Sequence, residues 1–233
     1  MLATLRSDLY AVRDRDPAAG SLTQIAICYP GVHAIWGHRL SHRLWGRDHT
    51  LLARVCATLV RGWTGVDIHP GAQLGRGLFI DHALGVVIGE TTEIGADVTI
   101  FQGVTLGGTS LSRGKRHPTV GDRVTIGAGA KVLGPITIGD DSRIGANAVV
   151  VKSVAPNSVV IGVPGQVIAR SRRRDPGTPP DLQDAVMPDL VGTSLLSLLR
   201  RVDRLETEVN GHRSEPDARP SEEGVWSGED FSI

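Results

Sequence analysis

The chain has 233 residues with 25 basic and 25 acidic side chains, so its formal net charge is zero. That balance excludes wholesale electrostatic binding of nucleic acid or of an acidic membrane surface. Glycine is the outlying count, 29 residues or about 12 % against a usual value near 7 %. There is no Gly-X-Y period and 40 % of the chain is apolar, so neither collagen nor wholesale disorder accounts for it.

From the N-terminus, the segment Met1 to Asp8 carries charge where a signal peptide needs an apolar run. No stretch approaches the roughly 18 apolar residues of a membrane span. These features predict a cytoplasmic protein, with Cys28 and Cys56 as free thiols. Leu2, Leu5, Leu9 and Val12 follow a 3-4-3 spacing, which predicts a helix closed at Asp16-Pro17. Val32 to Trp45 and Thr50 to Trp63 read as two more helices, with a break at Tyr29-Pro30-Gly31. His38 and His42 stand one helical turn apart; without a third ligand nearby they read as a solvated or packed pair. Residues 1–63 are therefore expected to form a helical N-terminal domain.

Between Gly62 and Gly165 lie 20 of the 29 glycines. Ile68, Leu74 and Ile80 step by six. After a slip of two residues come Ile88, Ile94, Ile100 and Leu106. After a longer interruption come Val120, Ile126, Val132, Ile138, Ile144 and Val150. Eight of these 13 branched residues are followed by glycine, and the slot four residues on is often small or β-branched, as at Ala72, Val98 and Ala130. On a helix of 3.6 residues per turn a step of six makes no stripe. A short strand followed by a tight corner explains both features, because the branched residue points inward and glycine permits a bend or a close backbone approach. Stacked coils then satisfy one another's backbone groups about 4.8 Å apart. A column of branched aliphatics needs few aromatics, and the chain has only 3 Phe, 4 Trp and 2 Tyr. Six residues per side and three sides predict roughly five coils over residues 64–169.

Residues 170–233 begin with a basic, proline-rich linker from Arg170 to Pro180. Val191, Leu195, Leu198, Val202, Leu205 and Val209 alternate steps of four and three, which predicts a helix over about 189–209 with a possible coiled-coil seam. A polar, flexible tail comes next, ending in an apolar patch with Trp226, Phe231 and Ile233.

The six-residue period fails at Asp81-His82-Ala83-Leu84-Gly85 and again at Gly107 to Pro118. Breaks in a local rule are where function concentrates. With Asp67-Ile-His-Pro, these segments resemble the serine O-acetyltransferases of the hexapeptide-repeat acyltransferase family, in a style nearest to mycobacterial or related actinobacterial members. The resemblance runs through Gly-Val-Asp67-Ile-His-Pro, Asp81-His82-Ala, Val-Ile-Gly-Glu90-Thr, Gly-Val-Thr-Leu-Gly-Gly108-Thr and Arg116-His117-Pro. It continues in Ile-Gly-Ala128-Gly-Ala-Lys131-Val-Leu-Gly and Gly-Val-Pro164-Gly, and reaches back to Val-Arg13-Asp-Arg-Asp16-Pro.

The fold it implies is α+β: an N-terminal α-helical domain, then a left-handed parallel β-helix, then a C-terminal helix and flexible tail. The implied reaction moves the acetyl group of acetyl-CoA to the hydroxyl of L-serine, with no acyl-enzyme and no metal, as the first step from serine to cysteine. His82 matches the general base and Asp67 the carboxylate that orients it. Such a pair suits the chemistry, because imidazole titrates near working pH and a carboxylate on its other nitrogen fixes the tautomer. Asp16 and Asp81 match the residues near the serine ammonium, and Arg116 and His117 those near its carboxylate. Gly108 with Thr109 is expected at the oxyanion. Ala128 and Ala146 are expected to leave room for the pantetheine arm, and Lys131 and Lys152 to meet CoA phosphates. His69 is expected to make a structural hydrogen bond. The tail Asp230, Phe231, Ser232 and Ile233 resembles the segment that docks in O-acetylserine sulfhydrylase, and cysteine is the implied feedback inhibitor. Hexapeptide enzymes are trimers with sites between subunits, so a homotrimer is favoured over a hexamer. Three other readings stay open: a hexapeptide acetyltransferase with a sugar or antibiotic acceptor, a zinc enzyme like the γ-carbonic anhydrases, and a non-catalytic scaffold.

Overall fold

The structure is a computed structural model that describes residues 2–170 and 190–210. They fall in two compact units, residues 1–181 and 182–233. The first opens with four helices: α1 (Leu2–Arg15), α2 (Leu22–Cys28), α3 (Pro30–Trp45) and α4 (Thr50–Thr64). Three match the spacing in the sequence. The fourth, α2, was not foreseen, because seven residues are too few to display a helical period. Its start is fixed by Ser21, whose hydroxyl accepts the Gln24 N–H at 3.2 Å. Pro30 opens α3, where its missing N–H costs nothing.

The helices are tied to one another and to the first strands. Val12, Ile25, Val32 and Phe79 bury one another. Asp8 of α1, fully buried, takes two hydrogen bonds from Arg39 of α3 at 3.0 and 2.8 Å. A methyl group on Gly31 would lie 2.1 Å from the Ile80 carbonyl oxygen, so only glycine lets the start of α3 press on the strand beneath.

The strands wind around a triangular prism. Sheet A holds β1 (Asp67–Ile68), β4 (Val87–Ile88), β7 (Thr105–Gly107), β10 (Lys131–Leu133) and β13 (Val149–Val150). Sheet B holds β2 (Gln73–Leu74), β5 (Glu93–Ile94), β8 (Thr119–Val120) and β11 (Thr137–Ile138). Sheet C holds β3 (Phe79–Ile80), β6 (Thr99–Ile100), β9 (Thr125–Ile126), β12 (Arg143–Ile144) and β14 (Ser158–Ile161), then β15 (Gln166–Arg170), which pairs antiparallel with β14. All other pairings are parallel and in register.

That register stacks the branched residues of the six-residue period. Ile68, Ile88, Leu106, Val132 and Val150 form one column. Leu74, Ile94, Val120 and Ile138 form a second, and Ile80, Ile100, Ile126 and Ile144 a third. Twelve of the 13 are buried, and Leu74 packs against them partly covered. The glycines after these residues serve close approach: a Cβ on Gly75 would lie 2.2 Å from the Gly95 carbonyl oxygen of the next coil.

In the second unit, α5 (Leu190–Asn210) lies where the heptad spacing predicts a helix. Its Leu198, Val202 and Leu205 are exposed. Among the described residues no helix is long and apolar enough to cross a membrane. The tail residues Asp230 to Ile233 lie outside the described residues.

Candidate active site

Both breaks in the period fall on corners of the prism. Asp81 and His82 turn the corner from sheet C to sheet A, between β3 and β4. His82 and Ala83 both have φ of +55°. Two successive non-glycine residues in the left-handed region store strain of about 1–3 kcal/mol each, the kind of cost found at functional sites. The turn lifts the His82 side chain into solvent, 72 % exposed. Asp81 accepts the His82 backbone N–H at 2.9 Å, and its other oxygen lies 3.7 Å from the ring Nε2.

Asp16, at the end of α1, belongs to the same corner. Its carboxylate accepts the Tyr29 hydroxyl at 2.6 Å and the Ala18 N–H at 2.8 Å. That bond to Asp16 pushes the Tyr29 phenol up to about 12. Burial raises the Asp81 carboxyl above its usual range, and the neighbouring Asp16 charge adds to this. Two carboxylates, one partly desolvated, form a place where an ammonium group relieves repulsion.

Asp67 opens β1 on the same edge, one coil before His82. Asp67 and His82 make no hydrogen bond or ion pair with each other among the described residues. Asp67 pairs instead with Arg61 of the last turn of α4 at 3.2 Å, and the carboxylate beside His82 is that of Asp81. The reason is local, since Arg61 reaches the β1 end while the His82 ring extends into solvent.

The other half of the predicted set sits on the edge between sheets A and B. Glu90 and Thr91 follow β4, and Arg116 and His117 end the long loop before β8. The Arg116 guanidinium donates to Glu90, which holds the Glu90 carboxyl below its usual range. The Thr91 hydroxyl accepts the backbone N–H groups of Arg116 at 3.0 Å and His117 at 3.1 Å. Lys115 donates to the Thr91 carbonyl at 2.8 Å and pairs with Glu93 at 3.0 Å. An open cavity of about 630 Å³ lies against Glu90, Thr91, Arg116 and the loop 110–114. The His117 ring is buried over Gly89, where a Cβ would come within 2.0 Å of the ring. Burial lowers the His117 imidazole below its ordinary value, and the Arg116 charge adds to this.

The two halves stand at opposite ends of one sheet-A face. A face of about six residues at ~3.3 Å each spans roughly 20 Å, far more than one serine molecule covers. No hydrogen bond or ion pair joins Asp16, Asp81 or His82 to Arg116 or His117 among the described residues.

The residues expected at CoA divide the same way. Ala128 and Ala146 lie on the C/A edge above His82, beside a stack of Gly85, Gly103 and Gly129. A Cβ on Gly103 would lie 3.4 Å from the Gly129 Cα, so bare backbone lines that edge. The Lys131 ammonium donates to the Gly103 carbonyl there. Gly108, Thr109 and the exposed Lys152 lie on the A/B edge. The His69 Nδ1 accepts the Gly71 N–H at 3.0 Å and its ring meets Trp45 edge-on. His38 and His42 are packed: burial holds His38 at about 3, and the His42 ring bonds the Pro70 carbonyl at 2.7 Å. Tyr29, Glu90 and Thr91 gained no role from spacing, since each acts through a partner 13 or 26 residues away, and Arg61 gained none either.

Comparison with known proteins identifies the family. The family described as "Bacterial transferase hexapeptide (six repeats)" matches residues 117–152. A serine acetyltransferase of Mycobacterium tuberculosis is 63 % identical over 233 residues, the full length of both chains. Two solved structures of serine acetyltransferases are similar. One, from Brucella abortus in complex with coenzyme A, has a TM-score of 0.73 at 44 % identity, over 74 % of this chain and 69 % of the other. The second, from Neisseria gonorrhoeae in complex with serine, has a TM-score of 0.70 at 44 % identity, over 72 % and 69 %. The three parallel sheets are the family's left-handed β-helix, and by sequence and fold the chain belongs to the serine acetyltransferases, a family of hexapeptide-repeat transferases.

Proposed function

We propose that the protein catalyses direct acetyl transfer from acetyl-CoA to the hydroxyl of L-serine, giving O-acetyl-L-serine and CoA. The observation that carries this reading is that the chain holds two opposite charge traps, one on each edge of sheet A. Asp16 and Asp81 suit an ammonium, and Arg116 with His117 suits a carboxylate. A zwitterionic amino acid needs both, whereas a sugar acceptor needs neither.

His82 takes the serine hydroxyl proton as the oxygen attacks the thioester carbonyl carbon. Backbone N–H groups at Gly108 hold the oxyanion of the tetrahedral intermediate, since glycine permits close approach. Collapse breaks the C–S bond, and the imidazolium returns its proton to the CoA thiolate. Asp67 supports that imidazolium from the same edge once the site is assembled. The pantetheine arm lies along the small residues of the C/A edge, Ala128 and Ala146 among them, and Lys152 is free to meet phosphate. Cysteine carries the same two charges as serine and competes for the same traps.

Because the two halves stand a full face apart, a second copy supplies the missing half of each site, in a homotrimer. The protein works in the cytoplasm, with residues 1–63, 64–169 and 170–233 as helical, catalytic and partner-binding parts. Its tail presents an apolar side chain and a free carboxylate to O-acetylserine sulfhydrylase. Deleting Ile233 is expected to abolish that binding in a pull-down or titration and to leave serine acetylation unchanged; binding that survives refutes the tail assignment. The reaction itself is tested by mixing protein, acetyl-CoA and L-serine and following free thiol. Thiol release that depends on serine is expected. Release with a sugar but not with serine, or none at all, overturns the reading.

A further inference from the structure

We infer that Thr91 is a positioning residue that locks His117 in the Nε2–H tautomer, so that the A/B edge offers a carboxylate a neutral N–H donor beside the Arg116 guanidinium. The inference rests on the proposed use of this edge for the serine carboxylate, but its structural part stands on geometry alone.

The Thr91 backbone N–H points at His117 Nδ1 at 3.2 Å, and the Thr91 hydroxyl lies 2.9 Å from the same atom. A backbone N–H only donates, so Nδ1 must be the lone-pair nitrogen. In a neutral imidazole the hydrogen then sits on Nε2. The hydroxyl points the same way. Its two acceptor positions take the N–H groups of Arg116 and His117, which leaves its own hydrogen for Nδ1. Every donor and acceptor of Thr91 on this side is accounted for.

Nε2 has no hydrogen-bond partner among the described residues. It sits in a hollow made by two glycines. A Cβ on Gly89 would come within 2.1 Å of it, and one on Gly108 within 3.3 Å. The N–H is thus held bare, next to a guanidinium fixed by Glu90. Protonating Nδ1 sets its hydrogen against the Thr91 N–H, donor facing donor. The charged and titratable groups around the ring are Arg116 and Lys115, which disfavour the imidazolium, Glu90, which favours it, and the His69 imidazole, which a charge on His117 would oppose; burial is the largest influence and acts with the cations. Burial, the two cations and the Thr91 contact all favour the neutral ring.

The test uses Thr91→Val, which removes the hydroxyl and keeps the backbone N–H, with Thr91→Ser as the conservative rescue. For Thr91→Val, KM for serine is expected to rise about tenfold or more, the scale of one hydrogen bond to a charged group. kcat and KM for acetyl-CoA should change far less. Thr91→Ser should restore the serine KM. Nitrogen-15 spectra of His117 in the wild-type protein should show Nδ1 bare and Nε2 protonated. An Nδ1–H tautomer in the wild-type protein overturns the proposal, whatever reaction the protein catalyses. So does Thr91→Val with an unchanged serine KM. A fall in melting temperature with kcat and both KM values worsening together makes Thr91 a staple of the fold, and also overturns it. If the tautomer is as expected but serine is not acetylated, the reaction fails and the Thr91–His117 lock stands.

Discussion

Replacing His82 with alanine is expected to lower kcat by roughly 10²–10⁴-fold, the usual contribution of a positioned general base. A serine hydroxyl is a weak nucleophile at neutral pH, and the attack needs its proton removed as the C–O bond forms. His82 stands where a base is accessible, on a turn whose two successive residues hold φ of +55°. That conformation is costly for non-glycine residues, and while it seats Ala83 in the core it leaves the imidazole exposed. KM for both substrates should change little, because His82 meets the hydroxyl and neither charged end of serine. A loss below tenfold removes His82 from the role. The two nearby carboxylates separate by the same measurement. Asp67→Asn should lower kcat if Asp67 supports the imidazolium in the assembled site, and Asp81→Asn should raise KM for serine. If Asp81→Asn carries the whole kcat loss, the orienting carboxylate is Asp81, the one that stands beside the ring in the single chain.

The columns of the prism were legible because their cause is local. Each branched residue repeats at a fixed step, and stacking in register follows from that step without knowledge of the rest of the chain. The slip at Asp81–His82 was visible for the same reason, since a strict period shows where it is broken. The Thr91–His117 contact was not visible. Its partners are 26 residues apart and meet only because one coil lies on the next across an irregular loop. The Arg61–Asp67 pair was hidden differently: Arg61 belongs to a helix whose end turns back at Gly65, with φ of +72°, and nothing in the spacing says which strand end it reaches. α2 escaped because its signal is a single cap at Ser21 and seven residues. The site residues were named by resemblance to a family, and the period alone placed them no closer than on two corners. It is the structure that shows those corners to be different edges.

The proposed homotrimer carries a second large expected effect. Two inactive variants should restore activity to each other when they assemble together. His82→Ala damages only the C/A edge and Arg116→Ala only the A/B edge. In a closed ring, each interface joins the C/A edge of one subunit to the A/B edge of the next, as a heterologous contact does. Co-expressed in equal amounts, half of the C/A edges carry an intact His82, and half of the A/B edges facing them carry an intact Arg116. About a quarter of the sites are then whole, so about a quarter of wild-type activity is expected from random assembly of a cyclic oligomer. Each variant alone should show almost none. Pairing His82→Ala with Asp81→Ala is the control: both lie on one edge, no assembly rebuilds that edge, and no recovery should follow. Two joined trimers give the same fraction as a single ring, so sedimentation and not complementation separates trimer from hexamer. If the first pair recovers nothing, each site is built within one subunit, and Arg116 and His117 bind something other than the serine that His82 activates.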